Sequence, residues 1–209
     1  LGQRVSKINL DSEFQGQFGS FGGEDGRFIW PRSIDVDQDG RVYVSDEFTN
    51  KISVFDAEGA FRYNWGRYGN DDGLLNGPSG IAFDSHNNLW VVDSLNHRIQ
   101  CFRQQGPFIS KFGHQGSNDG DLEMPWGLCI DLNDDIYVAD WGNNRVQMFT
   151  GEGRYLKTFT GDATLSKSQL RRLWTTNARR MRMREMADLE LEEKFQRPRS
   201  VTVDDQGHL

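Results

Sequence analysis

Residues 93–102, DSLNHRIQCF, place an acid, a histidine, an arginine and a cysteine within ten positions. Those types could ligate a metal or carry acid–base chemistry, so the first question is whether the stretch is unique. It recurs. DEFTNKISVF begins at Asp46 and DWGNNRVQMF at Asp140, each 47 residues away. A truncated copy, GQRVSKI, opens the chain at Gly2. Pro31, Pro78 and Pro125 keep the same period, as do Gly19, Gly66 and Gly113. In each copy a cation stands five residues after the acid: Lys51, Arg98 and Arg145. A feature present in every copy is more economically explained by the fold than by one active site. The expectation is that Asp46, Asp93 and Asp140 accept N–H groups of the next turn and pair with these cations.

One period shows the unit. After Pro31, SIDVD alternates apolar and polar residues at strand period, QDG turns the chain, and RVYVS alternates again. KISVF and FRYNWG supply two more strands. Ile34, Val36, Val42, Val44, Ile52, Val54, Phe55 and Phe61 are expected to face neighbouring units. Four strands joined by short connections form a meander whose two faces both need cover, and stacking such sheets radially gives a β-propeller. The 23 glycines and 12% aromatics suit many short strands with tight turns. Cys101 and Cys129 lie in apolar strand patterns without a CxxC partner and read as small buried hydrophobes, which leans towards a reducing, cytoplasmic compartment. No apolar run approaches the roughly 20 residues of a membrane helix.

VVDSLNHRIQCF, with GPSGIAFD before it, resembles the NHL repeat. The resemblance covers residues 1–161 and resumes at 198–209. It implies a propeller of six four-stranded blades, and six periods of 47 would need about 280 residues. The chain, at 209 residues, therefore reads as an incomplete arc. The expected parts are a partial blade and connector at 1–30 and blades at 31–77, 78–124 and 125–161. A helical insertion at 162–197 and the start of another blade at 198–209 complete the chain. The insertion is expected because Pro125 to Pro198 exceeds one period by 26 residues. The run LSKSQLRRLWTTNARRMRMREMADLELEEKF holds no proline or glycine, and Ser166 with Gln169 matches a capping box.

Several chemical readings compete. DVDQDGRVYVSD (35–46) imitates a calcium loop, but strands flank it, and Asp37 recurs as Asp84, Asp131 and Asp204, as a turn residue would. The glycine-rich connectors lack the Lys-Ser/Thr of a phosphate loop and read as turns. Asp93 and His97 resemble the zinc-ligand spacing of peptide-amidating lyases, which are also six-bladed propellers. The positions matching His97 are Asn50, Asn144 and Gln3, so His97 is the one candidate metal ligand. Six arginines crowd into 171–184, and some animal NHL domains bind RNA. Against that, residues 1–161 carry 14 Lys/Arg and 23 Asp/Glu, a net of −9, which opposes a phosphate-binding propeller surface.

Function should sit where the repeats differ. The residue after each blade proline should line the channel mouth, and there Arg32, Trp126 and Arg199 stand out against small residues. The turns after the blade acids add Phe48, Leu95 and Trp141 on one rim. An arginine pair with aromatics suits a protein or peptide carrying an acidic group. The expectation is a non-catalytic binding platform without a cofactor. In some relatives of the resembling family the propeller is the substrate receptor of a ubiquitin ligase, although no RING domain is encoded here. The alternative is a metal-dependent enzyme, an amidating lyase or a lactone hydrolase, using zinc or calcium. RNA binding is the second alternative.

Overall fold

The computed structural model describes residues 2–161 and 195–204. Fourteen strands within them form one two-stranded and three four-stranded sheets, every pairing antiparallel between sequence neighbours. A ribbon of β1 (Val5–Ile8) and β2 (Phe14–Phe18) comes first. The first full sheet is β3 (Pro31–Val36), β4 (Val42–Asp46), β5 (Lys51–Phe55) and β6 (Phe61–Trp65). The second is β7 (Pro78–Phe83), β8 (Leu89–Asp93), β9 (Arg98–Phe102) and β10 (Phe108–Phe112). The third is β11 (Gly127–Ile130), β12 (Ile136–Asp140), β13 (Arg145–Phe149) and β14 (Tyr155–Phe159). The helix expected at 162–197 lies, up to residue 194, outside the described residues. Residues 195–204 are described without regular secondary structure. Among the described residues no helix is long and apolar enough to cross a membrane.

The sheets stack face to face, which is why the middle strands are apolar on both sides. All five residues of β8 and all five of β9 are buried, whereas the outermost β10 exposes its centre. Tyr43, Ile52, Val54, Ile81, Val91 and Phe102 fill the space between the first and second full sheets. Trp90, Val92, Ile99, Leu128, Val138 and Phe149 fill the next. Burying each such side chain contributes roughly 1.5–3 kcal/mol, most of it offset by chain ordering. Ile34 and Val36, expected to face a neighbour, are instead 48% and 50% exposed. The β1–β2 ribbon places Val5 and Phe18 against Phe28, Val44 and Phe55 but has no strand to cover β3. Cover depends on the width of the adjacent sheet.

The strand that opens each sheet lies innermost. The Gly80 amide donates to the Trp126 carbonyl at 2.9 Å, the Ile81 amide to Ser33 Oγ at 3.3 Å, and the Phe83 amide to Asp35 Oδ2 at 2.9 Å. Two glycines permit this approach. A Cβ on Gly80 would sit 2.8 Å from the Gly127 Cα, and one on Gly127 would sit 2.6 Å from the Arg199 carbonyl oxygen. The latter contact also places the 198–204 segment beside β11.

Gly80→Ala should therefore lower stability by about 1–3 kcal/mol through backbone displacement. Gly23→Ala, whose nearest neighbour would be 3.8 Å away, should stay within about 0.5 kcal/mol. Urea midpoints of the two variants would show the contrast; equal midpoints would contradict the close approach of the inner strands.

Candidate functional site at the channel mouth

Each blade acid is a buried hub. Asp93 receives the Asn76 amide at 2.6 Å, Asn96 Nδ2 at 2.9 Å, Arg98 Nε at 2.7 Å and Gln100 Nε2 at 3.0 Å. Asp140 repeats this with the Glu123 amide, Asn143, Arg145 and Gln147 at 2.7, 2.8, 2.7 and 3.2 Å. Arg98 and Gln100 also donate to the Leu74 carbonyl, and Arg145 and Gln147 to that of Asp121, so the hub clamps the connector. Burial pushes the Asp93 carboxyl above its ordinary pKa, against the pull of its donors.

Asp46 differs from the expectation. Lys51 faces it in register, yet among the described residues no ion pair joins them. Backbone amides serve Asp46 instead: Ile29 and Trp30 at 2.7 and 3.1 Å, Phe48 and Thr49 at 3.1 and 3.0 Å. Thr49 and Ser53 replace the Asn and Gln of the other hubs, and an ammonium lacks the Nε–H edge and planar fork that Arg98 and Arg145 present. The expected turn amides are thus present only at Asp46, the expected cation only at Asp93 and Asp140. Sequence reasoning passed over Gln100, Gln147, Asn96 and Asn143, although their 47-residue recurrence was a usable signal.

His97 has a defined structural task. It adopts φ 54°, matching Asn50 and Asn144 at 57° and 55°. Its Nδ1 accepts the Met124 amide at 3.1 Å, as Asn50 Oδ1 accepts that of Gly77 and Asn144 Oδ1 that of Arg197, both at 2.9 Å. Asp93 and His97 therefore hold different parts of the backbone and do not converge on one point. Among the described residues no group of three or more His, Cys, Asp and Glu side chains is arranged to hold a metal ion. In the loop resembling a calcium site, Asp37 accepts the Asp39 and Arg41 amides and Arg41 Nε. Burial raises the Cys101 thiol to about 12 and the Cys129 thiol to about 11, so both stay protonated near neutrality.

The residues after the blade prolines gather at the inner rim. Arg32 lies over the Trp126 ring with its guanidinium carbon 4.8 Å from the centroid, and Arg199 does so at 5.5 Å. Trp126 leans on Trp141 at 6.3 Å between centroids, and Arg197 covers Trp141 at 4.8 Å. Glu47 pairs with Arg32 Nε. A cavity of about 130 Å3 opens among Arg32, Ser33, Ser79, Trp126, Arg199 and Ser200. Phe48 is 57% exposed and packs edge-on against Trp30 at 5.5 Å, while Leu95, 45% exposed, lies against Gly77. Of the six rim candidates, then, Arg32, Trp126, Arg199 and Trp141 come together; Phe48 and Leu95 stand apart. Arg197 was missed because it falls in the off-period segment.

Stacked four-stranded meanders with touching inner strands define a β-propeller. The NHL repeat model matches residues 75–102 and 122–149, which fall on the second and third full sheets. Among solved structures it is similar to a catalytically inactive virginiamycin B lyase from Staphylococcus aureus with quinupristin, at 18% identity and TM-score 0.55. That match covers 76% of this chain and 48% of the lyase chain, so this chain spans about half the lyase's length. It is also similar to a chain of a nidogen/laminin complex, at 21% identity and TM-score 0.55, covering 75% of this chain and 55% of that one. A protein of unknown function from Bacteroides caccae matches at 14% identity and TM-score 0.59, covering 78% and 61% of the two chains. No curated protein matches the sequence. At these identities the likeness concerns the fold.

Replacing Asp93 by Asn removes the buried counter-charge of Arg98 and leaves only the half-exposed Asp72 at 3.8 Å, which should cost about 3–5 kcal/mol. Asp46→Asn removes no cation partner and should cost less. Urea denaturation of both would check the order; equal losses would contradict the hubs' different chemistry.

Proposed function

We propose that the chain is a non-catalytic platform that binds a protein or peptide through the channel-mouth face. The carrying observation is the stack of Arg32 and Arg199 on Trp126, extended by Trp141 and Arg197. Trp and Arg dominate binding hot spots because they combine large contact area with donors of fixed geometry. Cation–π stacking on a surface contributes about 0.5–1 kcal/mol per pair and holds the guanidinium groups in place before a partner arrives. The nidogen/laminin structure, with the same fold, is a protein complex. In a larger assembly such as a ubiquitin ligase, this face would hold the substrate.

The metal-enzyme and RNA readings find less support. The Asp93 carboxylate and His97 Nδ1 are engaged with the chain's own donors. The net −9 of residues 1–161 repels a polyanion.

Peptides selected from a random display library against the full chain provide the test. Trp126→Ala should weaken them by at least about tenfold, in line with a hot-spot loss near 2 kcal/mol. A melting curve near that of the parent chain would show that the variant is folded. Selected peptides that bind Trp126→Ala and Arg32→Ala as tightly as the parent would overturn the proposal.

A further inference from the structure

We infer that the cavity beneath the Arg–Trp stack is a subsite for a single carboxylate of a bound peptide; this rests on the platform reading and specifies what the platform recognises. Every ionised side chain lining the cavity is a cation: Arg32 and Arg199. Among the described residues the Arg199 guanidinium meets no carboxylate, and its contact is the Trp126 ring. A guanidinium lying over an indole keeps its donor edges in the guanidinium plane, directed away from the contact. Arg32 and Arg199 thus both stand over the Trp126 ring at the cavity. Arg32 spends Nε on Glu47 and retains its two NH2 groups.

The hydroxyls agree with this polarity. Ser79 donates to the Trp126 carbonyl at 2.7 Å and is occupied. Ser33 Oγ accepts the Ile81 amide at 3.3 Å, which leaves its own hydrogen to donate. Ser200, exposed at the edge, is a further donor. Two guanidinium groups and two hydroxyls with a hydrogen to donate line the cavity. An anion with two coplanar oxygens fits bidentate recognition by arginine.

Size and field narrow the choice. The cavity, about 130 Å3 and open to solvent on one side, has the room of one small headgroup. The acidic blades around it disfavour a chain of phosphates while leaving a local positive spot for one charge. Trp126 and Leu128 in the lining, with Trp141 adjacent, offer apolar wall to the residue bearing the carboxylate.

The carboxylate can be a chain end or an Asp/Glu side chain, and three matched probes separate these sources. They are N-acetyl-Phe-Ala as free acid, N-acetyl-Phe-Glu amide, and N-acetyl-Phe-Ala amide as the neutral control. Binding to the full chain is read from the indole N–H resonance of Trp126, assigned by Trp126→Phe. At least one acid should shift it saturably, with the neutral amide at least about tenfold weaker; the stronger acid names the source. Arg199→Ala should reduce acid binding about tenfold or more, whereas Glu47→Gln should strengthen it several-fold by releasing Arg32. Damage to the fold would not produce such a gain. Equal binding of acids and amide, or no response to Arg199→Ala, overturns the subsite. If no probe moves Trp126 while library-selected peptides still require it, the subsite fails and the platform stands. If the acids bind but selected peptides ignore Trp126, the platform reading fails and with it the assignment to a bound peptide, leaving a bare carboxylate pocket.

Discussion

The structure depends on one contact repeated three times: a buried carboxylate at the end of a blade's second strand accepts a backbone N–H from 17 residues earlier. Ile29 to Asp46, Asn76 to Asp93 and Glu123 to Asp140 are separated by 2.6–2.7 Å. A carboxylate removed from water is costly unless its lone pairs are met, and each acid here has four donors. The contact fixes where the glycine-rich connector ends, and with it the proline that opens the innermost strand. Channel-mouth side chains inherit their positions from it.

The three hubs reach the same end by different chemistry. Arg98 and Arg145 each bridge an acid to connector carbonyls, so one side chain satisfies both sides of the clamp. Asp46 takes four backbone amides and leaves Lys51 at its register position without that role. Charge in every copy was visible in the sequence, but whether a cation pairs depends on its donor geometry. A lysine at an arginine's place preserves charge and loses the fork.

The sheet pattern was legible because period two and period 47 are properties of the chain itself. Pro31, Pro78 and the three blade acids mark strand ends directly. Exposure of Ile34 and Val36 was legible in part: a partial blade at 1–30 already left β3 short of cover, but how far β1 and β2 reach across it did not show. His97 illustrates the middle ground. Its ring nitrogen does the work of the Asn50 and Asn144 side-chain oxygens, a task readable from the repeat once those asparagines are treated as equivalents rather than as missing ligands. The channel-mouth group was partly readable: position after a proline named Arg32, Trp126 and Arg199, but nothing local announced that Glu47 or Arg197 would join them.

Arg199 is the most demanding member of that group, because 73 residues separate Pro125 from Pro198 where one period would give 47. The tie that carries each blade into the next settles its position. Asn50 holds Gly77, His97 holds Met124, and Asn144 holds Arg197, each partner standing just before a proline with φ between 46° and 65°. The third tie closes across a longer chain path with the same geometry. With that tie closed, Arg199 arrives over Trp126 as the residue after a blade proline should. Arg197 and Met124 hold a left-handed backbone without being glycine, a conformation costing roughly 1–3 kcal/mol. At Arg197 that conformation coincides with a guanidinium lying on Trp141, so the local strain and the rim chemistry belong to one residue.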